Sequence, residues 1–151
     1  MISRIEHIAI AVKDAEASAK LFQTLLGISR GHTETLPAER VKVAFFELGD
    51  CRIELVEGIG SDNPTAKFIE KRGEGIHHIC LEVEDLPGTL SRLDAAGFPL
   101  IDKVPKPGSR GTRVAFLHPK GCNGVLGELV EQPPHPDPLP SGERERERGK
   151  R

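Results

Sequence analysis

Tryptophan and tyrosine are missing altogether, and six phenylalanines supply all the aromatic side chains of a 151-residue chain. That shortage removes the platforms on which bases and sugars stack. Charge of one sign is also lacking: 21 Lys and Arg stand against 23 Asp and Glu, net −2, with no basic stripe, so a nucleic-acid partner is not expected. No apolar run approaches the ~20 residues that cross a bilayer. Met1 to Glu6 has no apolar segment behind its charges, so neither a spanning helix nor a signal peptide is expected, and the chain reads as cytoplasmic without a membrane partner. Cysteine is scarce as well. Cys51, Cys80 and Cys122 are odd in number and contain no C-x-x-C pair, which argues against a disulfide framework and a thiolate zinc site. What remains, 37% hydrophobic and 29% charged residues, suits one small domain or two fused modules that act on a small molecule.

The text changes at Gln132. Residues 132–151 hold five of the 12 prolines, one large apolar residue, Leu139, and a Glu-Arg alternation. Such a segment cannot bury enough surface to offset its ordering entropy and reads as a disordered tail.

Residues 1–131 are written twice. His7-Ile8-Ala9-Ile10-Ala11-Val12-Lys13-Asp14 matches His78-Ile79-Cys80-Leu81-Glu82-Val83-Glu84-Asp85 at an offset of 71, and Lys42-Val43-Ala44-Phe45-Phe46 matches Arg113-Val114-Ala115-Phe116-Leu117 at the same offset. Glu54-Leu55-Val56-Glu57 returns as Glu128-Leu129-Val130-Glu131 at 74, so the last connection of the second copy is three residues longer. Each copy starts with an alternating strand, 5–12 or 76–83, followed by Asp14 or Asp85 as a helix N-cap. A helix follows over 15–26 or 86–96, closed by Gly27 or Gly97. Short strands complete each copy, with Gly49-Asp50 and Pro119-Lys120-Gly121 as turns, and a short helix over 66–71 bridges the copies. The expected fold is α+β: two tandem βαβββ modules, about 4–57 and 75–131, whose sheets meet edge to edge and curve around a shared cleft.

Strand parity decides what faces that cleft. Ile8, Ile10 and Val12, and in the repeat Ile79, Leu81 and Val83, form the rows that cover a helix. His7 and His78 then fall on the cleft side at equivalent positions. The same parity buries Leu55 and Leu129 and turns Glu54 and Glu128 to the cleft, while His77 takes the opposite side from His78. Two imidazoles and two carboxylates suit Co2+, Mn2+, Ni2+, Mg2+ or Zn2+ at ~2.0–2.2 Å, with two octahedral positions left open for substrate.

The duplicated βαβββ pattern carrying His, Glu, His and Glu resembles the vicinal oxygen chelate superfamily, and residues 4–131 look most like its methylmalonyl-CoA epimerase branch. The carrying segments include Glu6 to Val12, Ala66 to Ile79, and Arg113 to Lys120 with Gly124 to Leu129. The resemblance implies His7, Glu54, His78 and Glu128 as metal ligands, with Co2+ the first choice. It implies a CoA thioester substrate, a homodimer, and interconversion of (R)- and (S)-methylmalonyl-CoA by α-proton abstraction through a metal-stabilised enolate. Symmetry alone, rather than the resemblance, makes Glu128 the first candidate for the catalytic base, with Glu54, its pseudo-symmetric counterpart, or a bound water serving the opposite face. Two departures stand out. Some members have Gln at the Glu54 position, and one form of the family has a proposed catalytic Glu at the position of Val43, which cannot accept a proton. Lys103, Lys106, Arg110, Arg113 and Lys120 offer charge to CoA phosphates without forming a recognisable phosphate loop. The alternatives on the same scaffold are a glyoxalase I-type lyase, which His118-Pro119-Lys120-Gly121 disfavours, and a non-catalytic ligand-binding protein. An extradiol dioxygenase is disfavoured by the extra carboxylate, Glu54.

Overall fold

The computed structural model describes residues 1–28 and 31–134; most of the expected tail lies outside the described residues. The first module runs β1 (Ile2–Ala11), α1 (Ala15–Leu26), β2 (His32–Leu36), β3 (Val41–Leu48) and β4 (Cys51–Gly58). Helix α2 (Pro64–Arg72) leads to the second: β5 (Gly75–Val83), α3 (Leu86–Ala95), β6 (Lys106–Pro107), β7 (Arg113–Leu117) and β8 (Leu126–Glu131). All eight strands join one curved, unclosed sheet in the order β2-β3-β4-β1-β5-β8-β7-β6. The expected edge-to-edge meeting is the antiparallel pair β1–β5, flanked by parallel β4 on one side and parallel β8 on the other.

Local chemistry sets the element ends. Asp14 accepts from the backbone N–H groups of Glu16 and Ala17, and Asp85 from that of Gly88, satisfying donors that the first helical turn leaves free. Gly27 closes α1 in the left-handed region at φ 68°, where a side chain would be strained. Asn63 caps α2 through Ala66 N, one residue before Pro64. The second module has a reduced edge strand: β6 is two residues long because Pro105, Pro107 and Gly108 interrupt the ladder on the outer side.

The apolar rows meet the helices largely as parity requires. Val12, Ala15, Ala19, Ala44, Phe46 and Leu55 are buried together in the first module, with Ile10 and Ile53 packed against them. Val83, Leu86, Leu90, Ala115, Leu117 and Leu129 repeat the arrangement in the second, with Leu81 beside them. Ile8 and Ile79 differ: they belong to neither cluster and pair with each other across the central ladder.

Each module also ties its helix to its last strand. Glu57 Oε1 accepts from Ala15 N at 2.8 Å, and Glu131 Oε2 accepts from Leu86 N at 2.7 Å. The Leu86 N–H bond and the Arg113 guanidinium hold the Glu131 carboxyl below its ordinary value of 4.5. A carboxyl depressed in the folded state stabilises the fold above its unfolded pKa and loses that contribution as pH falls through the folded one. Glu131→Ala is therefore expected to cost about 1–2 kcal/mol at neutral pH, the penalty for an orphaned N–H. The difference should shrink as urea unfolding is repeated below pH 4.5.

Candidate metal centre

The four strands at the middle of the sheet deliver one polar cluster. Across the β1–β5 ladder His7 lies opposite Cys80, and His78 opposite Ala9. Glu54 on β4 stands beside Ala9, and Glu128 on β8 beside Cys80, so each carboxylate neighbours the strand carrying a histidine. The imidazoles meet edge to face, Nε2 to Nε2 at 3.0 Å. Glu128 Oε2 is 3.2 Å from His78 Nε2 and 3.7 Å from His7 Nε2.

Three of the four expected ligands thus converge, their donor atoms all within 4.8 Å of one another. Glu54 does not join them. Its Oε2 is 3.3 Å from the other nitrogen of His7, Nδ1, and 2.9 Å from Arg52 Nη2. The convergent set fits a divalent cation: two nitrogens facing each other at this distance need either a proton or a cation between them, and an imidazole–carboxylate set is what Co2+, Mn2+, Ni2+ and Zn2+ accept.

Three residues that sequence reasoning left out complete the surroundings. Glu6 is 7% exposed and hydrogen-bonds His7 Nδ1. Its other oxygen lies 2.9 Å from Arg52 Nη2, so Arg52 bridges Glu6 and Glu54. Burial alone would raise the Glu6 carboxyl, but the His7 hydrogen bond and the charges of His7 and Arg52 outweigh it and hold Glu6 below its usual range. For His7 burial opposes protonation, and Glu6, Glu54 and Glu128 reverse the balance upward. Strand parity placed His77 away from His78; instead its Nδ1 is 2.9 Å from His78 Nδ1 and its ring packs edge to face on Phe68 of α2. Burial, aided by His78, pushes His77 down to about 4, so its ring is neutral at physiological pH. The only signal in the sequence was that Glu6 and His77, like His7 and His78, stand 71 positions apart.

Cys80 lies at the floor of the cluster near Glu6 and His7. Burial, reinforced by Glu128, pushes its thiol far up, so it stays protonated, as a structural cysteine should. The cross-strand neighbours of the two carboxylates are Phe45 for Glu54 and Phe116 for Glu128, an apolar wall repeated by the duplication.

Residues 6–116 match the Glyoxalase/Bleomycin resistance protein/Dioxygenase superfamily. The chain belongs to this superfamily. It is 44% identical over 133 residues to the ethylmalonyl-CoA/methylmalonyl-CoA epimerase of Cereibacter sphaeroides, covering 87% of this chain and 99% of that one. It is 38% identical over 131 residues to the mitochondrial methylmalonyl-CoA epimerase of Homo sapiens, covering 86% and 74%. The solved structure of a methylmalonyl-CoA epimerase in complex with methylmalonyl-CoA and NH4+ superposes with a TM-score of 0.74 at 33% identity, covering 87% of this chain and 96% of that one.

Within this superfamily fold, Val43 is 3% exposed and pairs with Val56 on β4 and with Glu34 on β2, so the nearest carboxylate at that register is Glu34 rather than residue 43 itself. Among the basic residues of the second half, Lys103 pairs with Asp94, Lys106 with Asp102, and Arg113 with Glu131. Their charges are thereby partly compensated, and no phosphate cradle emerges from them.

Titration with Co2+ should reveal a single site. Removing a ligand is expected to weaken it by more than the ~10–100-fold that a supporting residue costs, so His7→Ala and His78→Ala should abolish measurable binding. Glu128→Gln should weaken binding more than Glu54→Gln, because Glu54 is engaged by Arg52 rather than by the Nε2 pair. Isothermal calorimetry of the four variants checks the order.

Proposed function

We propose that the chain is a metal-dependent methylmalonyl-CoA epimerase, inverting the α-carbon of a 2-methylmalonyl thioester. The observation that carries this reading is the convergence of His7 Nε2, His78 Nε2 and Glu128 Oε2 in a chain 44% identical to a named epimerase of that substrate class.

The α-hydrogen of the substrate lies between two carbonyl carbons, so its loss places negative charge on the thioester oxygen. A divalent cation held by His7, His78 and Glu128 would supply the positive charge that lowers the cost of this ionisation, while Glu54, the fourth ligand the resemblance implies, is held by Arg52. Epimerisation then needs a proton removed from one face and returned to the other. Glu128, as a carboxylate at the histidine pair, takes the proton on one side. Glu54, beyond His7 and oriented by Arg52 Nη2 at 2.9 Å, enters that direction of the reaction as the acid and gives its own proton to the opposite face; it becomes the base for the reverse direction. Phe116 and Phe45, the cross-strand neighbours of these carboxylates, give the site apolar flanks.

Within the range of metals the donor set accepts, Co2+ is our choice. The catalytic domain spans residues 1–131, with the 132–151 tail outside it. A homodimer is in keeping with a sheet that ends in open edges at β2 and β6. The three free cysteines suit a reducing cytoplasm, and no helix among the described residues is long and apolar enough to cross a membrane.

Proton NMR of methylmalonyl-CoA in deuterated buffer tests the reading. Co2+-loaded protein should wash out the α-hydrogen signal, and His7→Ala should not. Glu128→Gln should slow exchange by roughly 10²–10⁴-fold, the usual worth of a general base. Normal turnover in metal-loaded Glu54→Gln would remove Glu54 from the base pair. Absence of exchange with metal bound would overturn the epimerase reading and direct attention to a glyoxalase assay.

A further inference from the structure

The register of the central ladder slips at three places: one near the start of β1, between Ile2 and Arg4, and two that the duplication makes equivalent. Ile5 pairs with Leu81 and His7 with Cys80, leaving Glu6 as an extra residue in β1. Ala9 pairs with His78 and Ile10 with Ile76, leaving His77 as an extra residue in β5. In a regular strand the residue before each cleft-facing histidine would point to the helix side, where Glu6 would bring a charge toward an apolar core. A bulge re-aims it. We propose that Glu6 and His77 are paired positioning residues: each occupies a bulge next to a metal-site histidine and holds that ring by Nδ1, so that its Nε2 is presented to the cation. The proposal rests on the metal-centre reading above.

The contacts carry it. A neutral imidazole has one N–H and one lone pair, and the partner of one nitrogen decides which atom holds the proton. His7 Nδ1 donates to the carboxylate of Glu6, which leaves the Nε2 lone pair free. At His78 the contact is nitrogen to nitrogen, 2.9 Å from His77 Nδ1. With His78 Nε2 committed to a cation, the His78 proton sits on Nδ1 and is donated to His77 Nδ1, whose own proton is then on Nε2. Both freed Nε2 atoms then face each other at 3.0 Å beside Glu128. Each supporting residue is itself fixed: Glu6 by Arg52 Nη2 at 2.9 Å, and His77 by Phe68, with ring centroids 5.0 Å apart. The two supports differ in charge. A carboxylate makes His7 the stronger donor, while a neutral ring leaves His78 the weaker one, so the loss of Glu6 should cost more metal affinity than the loss of His77.

Long-range 1H–15N correlation of 15N-histidine-labelled protein tests this without reference to activity. In the Zn2+-loaded wild-type protein, where the cation replaces the proton that the facing Nε2 atoms otherwise need, His7 and His78 should both be protonated at Nδ1; a proton on Nε2 of either ring in the loaded protein overturns the proposal. In the loaded protein Glu6→Ala should move the Nδ1–H resonance of His7 alone, leaving only Glu54 Oε2 at 3.3 Å as an acceptor, and His77→Phe should move that of His78 alone. Each should raise the Co2+ dissociation constant by about 10–100-fold, with Glu6→Gln and His77→Gln, which keep an acceptor, recovering most of the loss. Unchanged Nδ1–H resonances and affinity in Glu6→Ala and His77→Phe would reduce the bulges to features of the sheet. Should a variant fail to fold, the wild-type spectrum still decides. If wild-type protein and His7→Ala bind Co2+ and Zn2+ equally, the metal-centre reading fails; binding lost in His7→Ala together with an Nε2 proton on either ring of the loaded wild type leaves that reading standing and overturns the positioning role alone.

Discussion

The antiparallel pairing of β1 with β5 is the constraint on which everything else hangs. Each module alone would present its first strand with one side unpaired, and an unpaired edge is a liability in water. Joining these two edges converts two four-stranded units into one eight-stranded sheet. It also brings His7 and His78, each near the middle of its own strand, to within contact across a pseudo-twofold axis. Strand pairing and assembly of the site are therefore one event.

That arrangement lets the two faces of the sheet do different work. On the helix side each module buries a compact apolar cluster, anchored by α1 or α3 and by the Glu57 and Glu131 bonds to the helix starts. On the other side the strands carry small residues, Ala9 and Cys80, beside the carboxylates, which leaves room for the imidazoles. Arg52 bridges two of the carboxylates there, Glu6 and Glu54, and offsets charge that would otherwise repel in a half-buried cleft. The bulges at Glu6 and His77 interrupt the ladder where it matters most, which makes sense if what they support is worth more than two regular backbone pairings.

Much of this was legible in the chain because a duplication writes each structural role twice. The offset of 71 gave the module boundary, strand alternation gave the face of His7 and His78, and Asp14 and Asp85 marked the helix starts. The resemblance drawn from those segments agrees with the superfamily to which the chain belongs. Parity failed at His77, and passed over Glu6, for one reason: a one-residue bulge reverses the alternation on which parity depends, and a bulge has no reliable signature in a single sequence. The position of Glu54 illustrates a different limit. Parity put it on the correct face, but whether it turned toward the histidine pair or toward Arg52 depended on a side chain two residues away on the same strand.

By itself, then, the sequence determined the repeat, the α+β plan, the apolar rows and the four residues worth watching, because these follow from local periodicity and from the chemistry of individual side chains. Only the tertiary structure decided which ring nitrogens meet, that Glu128 joins them while Glu54 is held by Arg52, and that Glu6 and His77 stand behind the histidines. Those choices are made by register across strands far apart in the chain, and register is a property of the pairing rather than of either strand alone.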